Sequence, residues 1–213
     1  MMKIKINRIV PRSLVDGPGA RTVVFVQGCT LACPGCQNQH LWPADGGREA
    51  DAEDLALTLA LLAGKDGNVT ISGGEPFQQA LPLLELVEAL KFHGVESVLV
   101  YTGYTWNELN DRSYFSRFQV FQEILLYVDI LVDGRFVREL DDSMIAWRGS
   151  RNQRPIDVQA SMRATDDSVV LLDWDTPQVL ISESGDLFLP VGLAGEFSDL
   201  GQIETTRRCG QTR

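Results

Sequence analysis

Two kinds of hydrophobic pattern alternate along the first two thirds of the chain. Short runs rich in β-branched and aromatic residues are typical of buried strands. Between them, apolar residues recur every three or four positions, as on the buried face of a helix. The predicted strands are residues 3–9, 21–26, 69–72, 97–101 and 128–132. The stripes predicted to be buried on helices are Leu55, Leu59 and Leu62, then Leu83, Val87 and Leu90, then Phe115, Phe118, Phe121 and Leu125.

The helix boundaries support this alternation. Asp51 can cap the first helix and Gly64 can end it, while Pro82 suits the first turn of the second helix and Gly94 its end. Strands and helices that alternate in this way require right-handed crossovers and a mostly parallel sheet. The pattern therefore predicts an α/β fold with its chemistry at the carboxyl ends of the strands, where the glycine-rich turns fall.

The pattern changes near residue 155. Three short runs, at residues 169–172, 178–181 and 187–189, are typical of strands, and residues 184–186 (SGD) can form a hairpin turn. The stretch after Gly195 is polar, as mobile chain ends often are. We therefore predict two regions: a core over residues 1–154, and a small C-terminal β extension with a mobile tail over residues 155–213.

Composition narrows the choice of partners. The 213 residues, 44% hydrophobic and 23% charged, suffice for one full core. A formal net charge of -10 and a pI near 4.7 disfavour binding to nucleic acid or to an anionic membrane. No window approaches the roughly 20 apolar residues of a membrane helix, and the first residues lack a signal-peptide layout. We expect a cytoplasmic protein with neither a nucleic-acid nor a membrane partner.

Three of the four cysteines lie within eight residues. Cys29, Cys33 and Cys36 directly follow the predicted strand 21–26, and Cys209 is far away near the end of the chain. In a reducing compartment such a cluster indicates metal or redox chemistry rather than a disulfide framework. Three thiolates suit a 4Fe-4S cluster that keeps one iron free of protein ligands. They also suit a zinc site completed by His40, so the spacing alone leaves both metals open.

Several motifs in sequence order carry a family resemblance. Residues 16–19 (DGPG), Arg21, Phe25 and Gly28 precede the three clustered cysteines, and Asn38 and Trp42 follow them. Residues 72–76 (SGGEP) come directly after the next predicted strand. With these motifs the sequence resembles the radical SAM superfamily, in particular the activating enzymes of glycyl radical enzymes.

Four further segments resemble one branch of that family, whose members activate anaerobic ribonucleotide reductase. They are residues 33–36 (CPGC), 101–104 (YTGY), 131–136 (LVDGRF) and 147–153 (WRGSRNQ). Many relatives carry an aromatic residue before the third cysteine, and Gly35 at that position agrees with the reductase branch. The resemblance covers roughly residues 5–154, so the C-terminal extension has no counterpart in the short form of the family.

The resemblance implies a fold, cofactors and partners. The fold is a partial (βα) barrel, and a 4Fe-4S cluster on Cys29, Cys33 and Cys36 binds S-adenosylmethionine through its free iron. Reductive cleavage of S-adenosylmethionine gives a 5'-deoxyadenosyl radical, which removes a hydrogen atom from a glycine Cα of a partner enzyme. The expected partner is anaerobic ribonucleotide reductase. A flavodoxin or ferredoxin is the implied low-potential electron donor. The implied cofactor contacts are Gly35, Cys36, Gln37, Ser72, Gly73, Gly74, Glu75, Thr102, Gly103, Asp133, Gly134 and Arg135.

Within this set, Glu75 is expected to accept a hydrogen bond from the ammonium of the cofactor, and Thr102 and Gly103 to meet its ribose. Two other functions stay open at this point. The same radical chemistry can act on another glycyl radical enzyme or on a small molecule, for which only the C-terminal extension argues. A zinc-stabilised binding module without catalysis is the alternative of a different class. His40 is expected to be a polar loop residue and Cys209 a spare thiol.

Overall fold

The computed structural model describes residues 1–113, 115–166 and 168–174 and two short strands further on. In these ranges one seven-stranded sheet carries helices on one face. Its strands are β1 (Lys3–Ser13), β2 (Arg21–Val26), β3 (Arg48–Asp51), β4 (Asn68–Gly73), β5 (Ser97–Tyr101), β6 (Ile130–Asp133) and β7 (Arg154–Asp157). The helices are α1 (Ala52–Ala63), α2 (Ala80–Phe92), α3 (Trp106–Leu109), α4 (Phe115–Tyr127) and α5 (Val158–Arg163).

The topology confirms a mixed α/β fold with a mostly parallel sheet. The strand order is β3-β1-β2-β4-β5-β6-β7, and β2, β4, β5 and β6 form parallel pairs. Strand β1 is antiparallel to both of its neighbours, and β7 is antiparallel to β6. Five strands therefore run in one direction, and their carboxyl ends lie at one edge of the sheet. Strands β3 and β7 are the outermost of the seven strands, and closure into a partial barrel stays a prediction.

The helix-covered face contains the main core. Along β5, Val98 and Val100 are fully buried against the helices, while Leu99 points to the opposite face, as the two-residue period of a strand requires. The predicted stripe on α2, formed by Leu83, Val87 and Leu90, is also fully buried. Each such side chain contributes about 1.5–3 kcal/mol when it is removed from water. These contacts hold the parallel strands under the site.

The stripe predicted on α1 is wrong at one position. Asp51 caps the helix as predicted, because its carboxylate accepts hydrogen bonds from the backbone of Glu53 and Asp54. Leu62, however, is 42% exposed. The buried face of α1 runs through Ala56, Leu59 and Ala63, and at 100° per residue Leu62 lies about 90° from its centre. The small side chain of Ala63 occupies the position that the leucine spacing suggested for Leu62.

The stripe predicted on α4 is confirmed at Phe121 and Leu125, which are buried. Phe118 is only partly buried. The side chain of Phe115 lies outside the described residues.

The opposite face of the sheet carries two small apolar clusters. One consists of Leu99, Val132, Ala146, Trp147 and Trp174, and the other of Val23, Phe25 and Leu41. Polar side chains share this face, and it borders the cleft described below. We call it the inner face.

The C-terminal region joins the sheet at first. The N–H of Asp157 donates to the carbonyl of Val170 at 2.9 Å, and the N–H of Leu172 donates to the carbonyl of Pro155 at 2.8 Å. Residues 170–172 therefore lie antiparallel beside β7 and are not a separate element. The division at residue 154 stays a prediction, and β7 crosses it.

Further on, strands β8 (Leu180–Ile181) and β9 (Leu187–Phe188) pair antiparallel, as the predicted hairpin requires. The predicted turn at residues 184–186, the tail and Cys209 lie outside the described residues. None of the helices in the described ranges combines the length and apolar composition that crossing a membrane takes.

Candidate active site

A cleft opens at the carboxyl ends of the parallel strands. The loop after β2, the turn after β4 and the turns after β5 and β6 all contribute to it, because parallel strands deliver these connections to one edge. Eleven of the residues predicted to bind the cluster or the cofactor line this cleft. They are Cys29, Cys33, Cys36, Gln37, Ser72, Gly73, Gly74, Glu75, Thr102, Gly103 and Gly134.

The cysteine loop is anchored at its base by backbone hydrogen bonds. The N–H of Gly28 donates to the carbonyl of Leu41 at 2.8 Å, and the N–H of Cys29 donates to the carbonyl of Trp42 at 3.1 Å. Inside the loop the N–H of Cys36 donates to the carbonyl of Cys33 at 3.1 Å. All three cysteines are partly exposed free thiols. The loop therefore presents three thiols from a fixed backbone.

Gln78 fixes the same loop from the side. Its side-chain carbonyl accepts from the N–H of Thr30 at 3.0 Å, and its amide donates to the Thr30 hydroxyl at 2.7 Å. Gln78 lies two residues after the SGGEP segment. Sequence reasoning missed this contact, because a glutamine in a polar stretch carries no distinguishing signal.

The SGGEP turn packs directly on the cysteine loop. The N–H of Gly74 donates to the carbonyl of Val26, and the N–H of Glu75 donates to the carbonyl of Gly28, both at 2.8 Å. A Cβ added to Gly74 would lie 2.3 Å from the carbonyl oxygen of Gly28. Only glycine allows this approach. The cysteine loop and the turn are therefore one unit, and Gly74 is its tightest contact.

Glu75 is a buried carboxylate held by three donors. Its Oε1 accepts from the N–H of Phe77 at 3.0 Å and from the hydroxyl of Thr102 at 2.8 Å, and its Oε2 accepts from the N–H of Gly103 at 2.7 Å. Burial raises the pKa of Glu75 to about 7, and the three hydrogen bonds offset part of this rise. A carboxylate offers about four acceptor positions, so Oε2 keeps one that can receive a ligand donor.

The first cysteine resists ionisation more than an exposed thiol does. Burial raises the pKa of Cys29, and the charge of Glu75 acts in the same direction. A metal binds the thiolate, so metal binding at this loop releases a proton.

Three of the predicted contact residues lie outside the cleft lining. Asp133 is buried and accepts hydrogen bonds from the Trp106 N–H at 2.7 Å and from the Arg154 guanidinium at 2.9 and 2.5 Å. Arg135 donates twice to the carboxylate of Glu108, at 2.9 Å each. Gly35 lies against the Arg138 side chain. The structure thus gives Asp133 and Arg135 protein partners, and the case for cofactor contact rests on the eleven lining residues.

The far wall of the cleft comes from a segment outside the set of predicted cofactor contacts. Trp147, Arg148, Gly149 and Gln153 line the cleft. The Gln153 side-chain oxygen accepts from the N–H of Gly149 at 2.8 Å, and the hydroxyl of Tyr101 donates to the carbonyl of Trp147 at 2.8 Å. The sequence left two interpretations of the segment 147–153 open: a helix-to-loop transition, or Arg148 and Arg151 facing an acidic partner or the cofactor carboxylate. The structure places Arg148, but not Arg151, in the cleft lining.

The donor set fits a 4Fe-4S cluster. A cubane cluster binds each thiolate at a different iron, so it needs thiols spaced around a cavity rather than converged on one point. In the described part of the chain, no three Cys, His, Asp or Glu side chains converge as a single-ion site requires. His40 is exposed, and its Nε2 lies 3.3 Å from Nη1 of Arg8 rather than in the cleft. The thiols therefore fit the cluster better than they fit a zinc ion completed by His40.

Comparisons with known proteins agree with this site. A family model described as "4Fe-4S single cluster domain" matches residues 15–156. The anaerobic ribonucleoside-triphosphate reductase-activating protein of Vibrio cholerae is 36% identical over 153 residues, which are 69% of this chain and 94% of the relative. The pyruvate formate-lyase-activating enzyme of Clostridium pasteurianum is 33% identical over 156 residues, 71% of this chain and 60% of the relative.

Among solved structures, QueE from Escherichia coli overlaps 49% of this chain and 55% of its own, with a TM-score of 0.42 at 24% identity. This overlap is too low to define the fold. The cleft and the family model together define an iron-sulfur protein of the single 4Fe-4S cluster class. By its similarity to the reductase-activating relatives, the chain belongs to the radical SAM activating-enzyme family, a family of oxidoreductases.

Proposed function

We propose that this protein cleaves S-adenosylmethionine reductively and installs a glycyl radical on a partner enzyme. One observation carries the proposal: the three thiols of the cysteine loop and the SGGEP turn face the same cleft, and the turn is hydrogen-bonded to the loop. A cluster on the loop and a cofactor on the turn would therefore be neighbours. The proposal includes a partial barrel fold, a cytoplasmic location and a 4Fe-4S cluster in which one iron has no protein ligand.

The residues of the chain bind and orient the reactants. Cys29, Cys33 and Cys36 would hold the cluster, and the backbone of Gly73 and Gly74 would lie against the methionine end of the cofactor. When bound, the cluster supplies the single electron that splits the carbon–sulfur bond of S-adenosylmethionine.

Glu75 lines the cleft, and the acceptor position left on its Oε2 would suit the ammonium of the cofactor. Thr102 and Gly103 are held in place by their own bonds to Glu75. The ribose contact proposed for these two residues therefore depends on the same carboxylate.

The target follows from chemistry and from the relatives' names. A glycine Cα has no side chain to block approach, and its flanking amides stabilise the radical. Transfer of one hydrogen atom from that carbon to the 5'-deoxyadenosyl radical would give 5'-deoxyadenosine and the glycyl radical, and methionine would be the other product of the preceding carbon–sulfur cleavage. Because one relative is named for the anaerobic ribonucleoside-triphosphate reductase, we propose that reductase as the partner. A low-potential flavodoxin or ferredoxin is the proposed electron donor.

The first experiment tests the cluster and the cofactor. Anaerobically purified protein is reconstituted with iron and sulfide, reduced, and measured by electron paramagnetic resonance with and without S-adenosylmethionine. We expect a 4Fe-4S signal that changes when the cofactor is added, and formation of 5'-deoxyadenosine. Alanine at Cys29, Cys33 or Cys36 should abolish both, whereas Gln39→Ala, an exposed change in the same loop, should not. Zinc without labile sulfide in the wild type would overturn the proposal.

The second experiment tests the target. The reduced wild-type protein is mixed with anaerobic ribonucleotide reductase and S-adenosylmethionine, and the glycyl radical is measured by electron paramagnetic resonance. We expect a radical on the reductase in an amount that matches the 5'-deoxyadenosine formed. If 5'-deoxyadenosine forms but the reductase carries no radical, the radical chemistry stands and the partner assignment fails.

A further inference from the structure

The sheet continues into a segment beyond the matched family region. The family model ends at residue 156, and the Vibrio cholerae relative aligns over 94% of its own length but only 69% of this chain. Residues 168–174 lie past that region. Their backbone bonds to Pro155 and Asp157 place them beside β7. We call residues 168–174 the brace.

The brace ends in a tryptophan that fills the inner face of the sheet. Trp174 is 6% exposed and belongs to the cluster with Leu99, Val132 and Trp147, against which Leu172 also packs. The rings of Trp174 and Trp147 meet edge to face, with centroids 5.2 Å apart and planes at 80°. This is a favoured aromatic geometry.

Trp147 needs such support. Its φ of 51° lies in the left-handed region, which is strained for any residue with a Cβ. The hydroxyl of Tyr101 donates to its carbonyl at 2.8 Å, and Trp174 packs on its ring. Both contacts lie on the inner face, where Trp147 is 4% exposed.

The supported turn is a wall of the cleft. Trp147, Arg148 and Gly149 line it together with the cysteines and the SGGEP turn, whereas Trp174 stands behind Trp147 and outside the lining. We propose that Trp174 is a positioning residue: through Trp147 the brace fixes the turn 147–149 in the shape that binds S-adenosylmethionine. This inference rests on the proposed function of the cleft. It gives the segment beyond the family region a task at the active site.

Three variants of the full chain test the inference. Trp174→Ala removes the ring, and Trp174→Phe keeps an aromatic edge as the conservative rescue. Val95→Ala truncates a buried side chain that belongs to the helix-covered core and not to the inner-face clusters, and it serves as the control for lost stability. Two quantities are measured: the affinity of the reconstituted protein for S-adenosylmethionine, and the rate of trypsin cleavage after Arg148, followed by mass spectrometry in protein without cofactor.

We expect Trp174→Ala to retain the iron content of the wild type, to bind the cofactor at least tenfold more weakly, and to be cleaved after Arg148 at least tenfold faster. Trp174→Phe should stay within about threefold of the wild type in both measurements. Val95→Ala should leave both unchanged. Equal cleavage rates in the wild type and in Trp174→Ala would overturn the proposed role of the brace, and this measurement needs no cofactor.

The affinity measurement separates the two proposals. Wild-type affinity in Trp174→Ala, with 5'-deoxyadenosine still formed, would end the positioning role and leave the proposed function intact. No cofactor binding by the reconstituted wild type would end the proposed function and, with it, the role of Trp174 in cofactor binding. A similar loss of affinity in Val95→Ala would reduce the effect of Trp174 to general stability and would also overturn the inference.

Discussion

Two buried charged groups tie β4 and β5 together at opposite ends. At the amino ends, the guanidinium of Arg21 donates to the Thr70 hydroxyl at 2.7 Å and to the carbonyls of Val69 and Ser97 at 2.8 and 3.0 Å. At the carboxyl ends, Glu75 accepts from Thr102 and Gly103. In the part of the chain that the structure describes, neither group forms a salt bridge. Each charge is held by neutral hydrogen-bonding groups.

The two groups differ in how close they lie to a change of charge. Burial lowers the pKa of Arg21 to about 10, so it keeps its charge at neutral pH. Burial raises the pKa of Glu75 to about 7, so its charge changes near neutral pH. The amino end therefore has a fixed structural clamp, and the carboxyl end has a group that a cationic ligand can stabilise as its anion.

Gly74→Ala should disturb the carboxyl end most. The new Cβ would meet the backbone of Gly28, next to the first cysteine, and backbone cannot yield as a flexible side chain does. We expect loss of most cofactor binding together with a lower iron content, measured by equilibrium binding and metal analysis after reconstitution. Gly94→Ala is the control for backbone strain without a steric clash: its φ of 83° is unfavourable for alanine, but its Cβ meets no atom within 4 Å and it lies outside the cleft lining. A full cluster and wild-type affinity in Gly74→Ala would contradict the close contact.

Arg21→Leu should remove the hydrogen bonds that join the amino ends of β4 and β5. The leucine leaves the carbonyls of Val69 and Ser97 and the hydroxyl of Thr70 without their donor in a buried site. We expect a loss of about 3–5 kcal/mol in the free energy of unfolding, measured by urea titration of the protein without cofactor. Arg12→Leu is the control, since Arg12 is an exposed cation 3.8 Å from Asp66. A loss within about 0.5 kcal/mol, typical of such a surface change, would contradict the clamp.

Glu75→Gln sharpens the difference in pKa. Because folding raises the pKa of Glu75 from 4.5 to about 7, the stability contributed by this group is present below pH 4.5 and is lost as the pH rises through 7. Glutamine does not titrate. The difference in the free energy of unfolding between variant and wild type should therefore shift by about 3 kcal/mol in favour of the variant from pH 4.5 to pH 8. Denaturant titrations at the two pH values measure this shift.

A control of opposite sign is available at Glu108. Its pKa is lowered, chiefly by the hydrogen bonds from Arg135, so its contribution is present above the ordinary pKa and is lost as the pH falls. Glu108→Gln should change the pH dependence in the opposite direction and by less, because Glu108 is partly exposed. The same direction in both variants would show that the pH effect does not come from Glu75.

The fold was largely predictable because local patterns agree with the long-range pairing. The strand Arg21–Val26 and the helix that Asp51 caps are where the sequence places them. The error at Leu62 arose because leucine spacing alone does not reveal that alanines form the centre of the buried face. Strand β3 was missed, since its residues, READ, have neither a β-branched nor an alternating pattern and pair only because β1 offers an open edge.

The part of the site that depends on residue type and motif order was predictable from the sequence. Three thiols and two glycines in motif order pointed to the cleft, and the structure brings them together. The supporting contacts were not predictable. The bonds from Gln78 to Thr30 join residues 48 positions apart, and the Trp147 turn is recognisable only from its backbone conformation. Residue type reveals what can react, and long-range packing decides what holds it.

His40→Ala should have the smallest effect, and it tests whether the metal site is confined to the cleft. The imidazole is exposed, its Nε2 faces the guanidinium of Arg8 at 3.3 Å, and it does not line the cleft. If three thiols hold a 4Fe-4S cluster, the variant should retain its iron and sulfide content and its affinity for S-adenosylmethionine within error. If the thiols and His40 share one zinc ion, removal of one of four ligands should release the metal. Metal analysis of this variant beside Cys33→Ala therefore separates a site with three protein ligands from one with four.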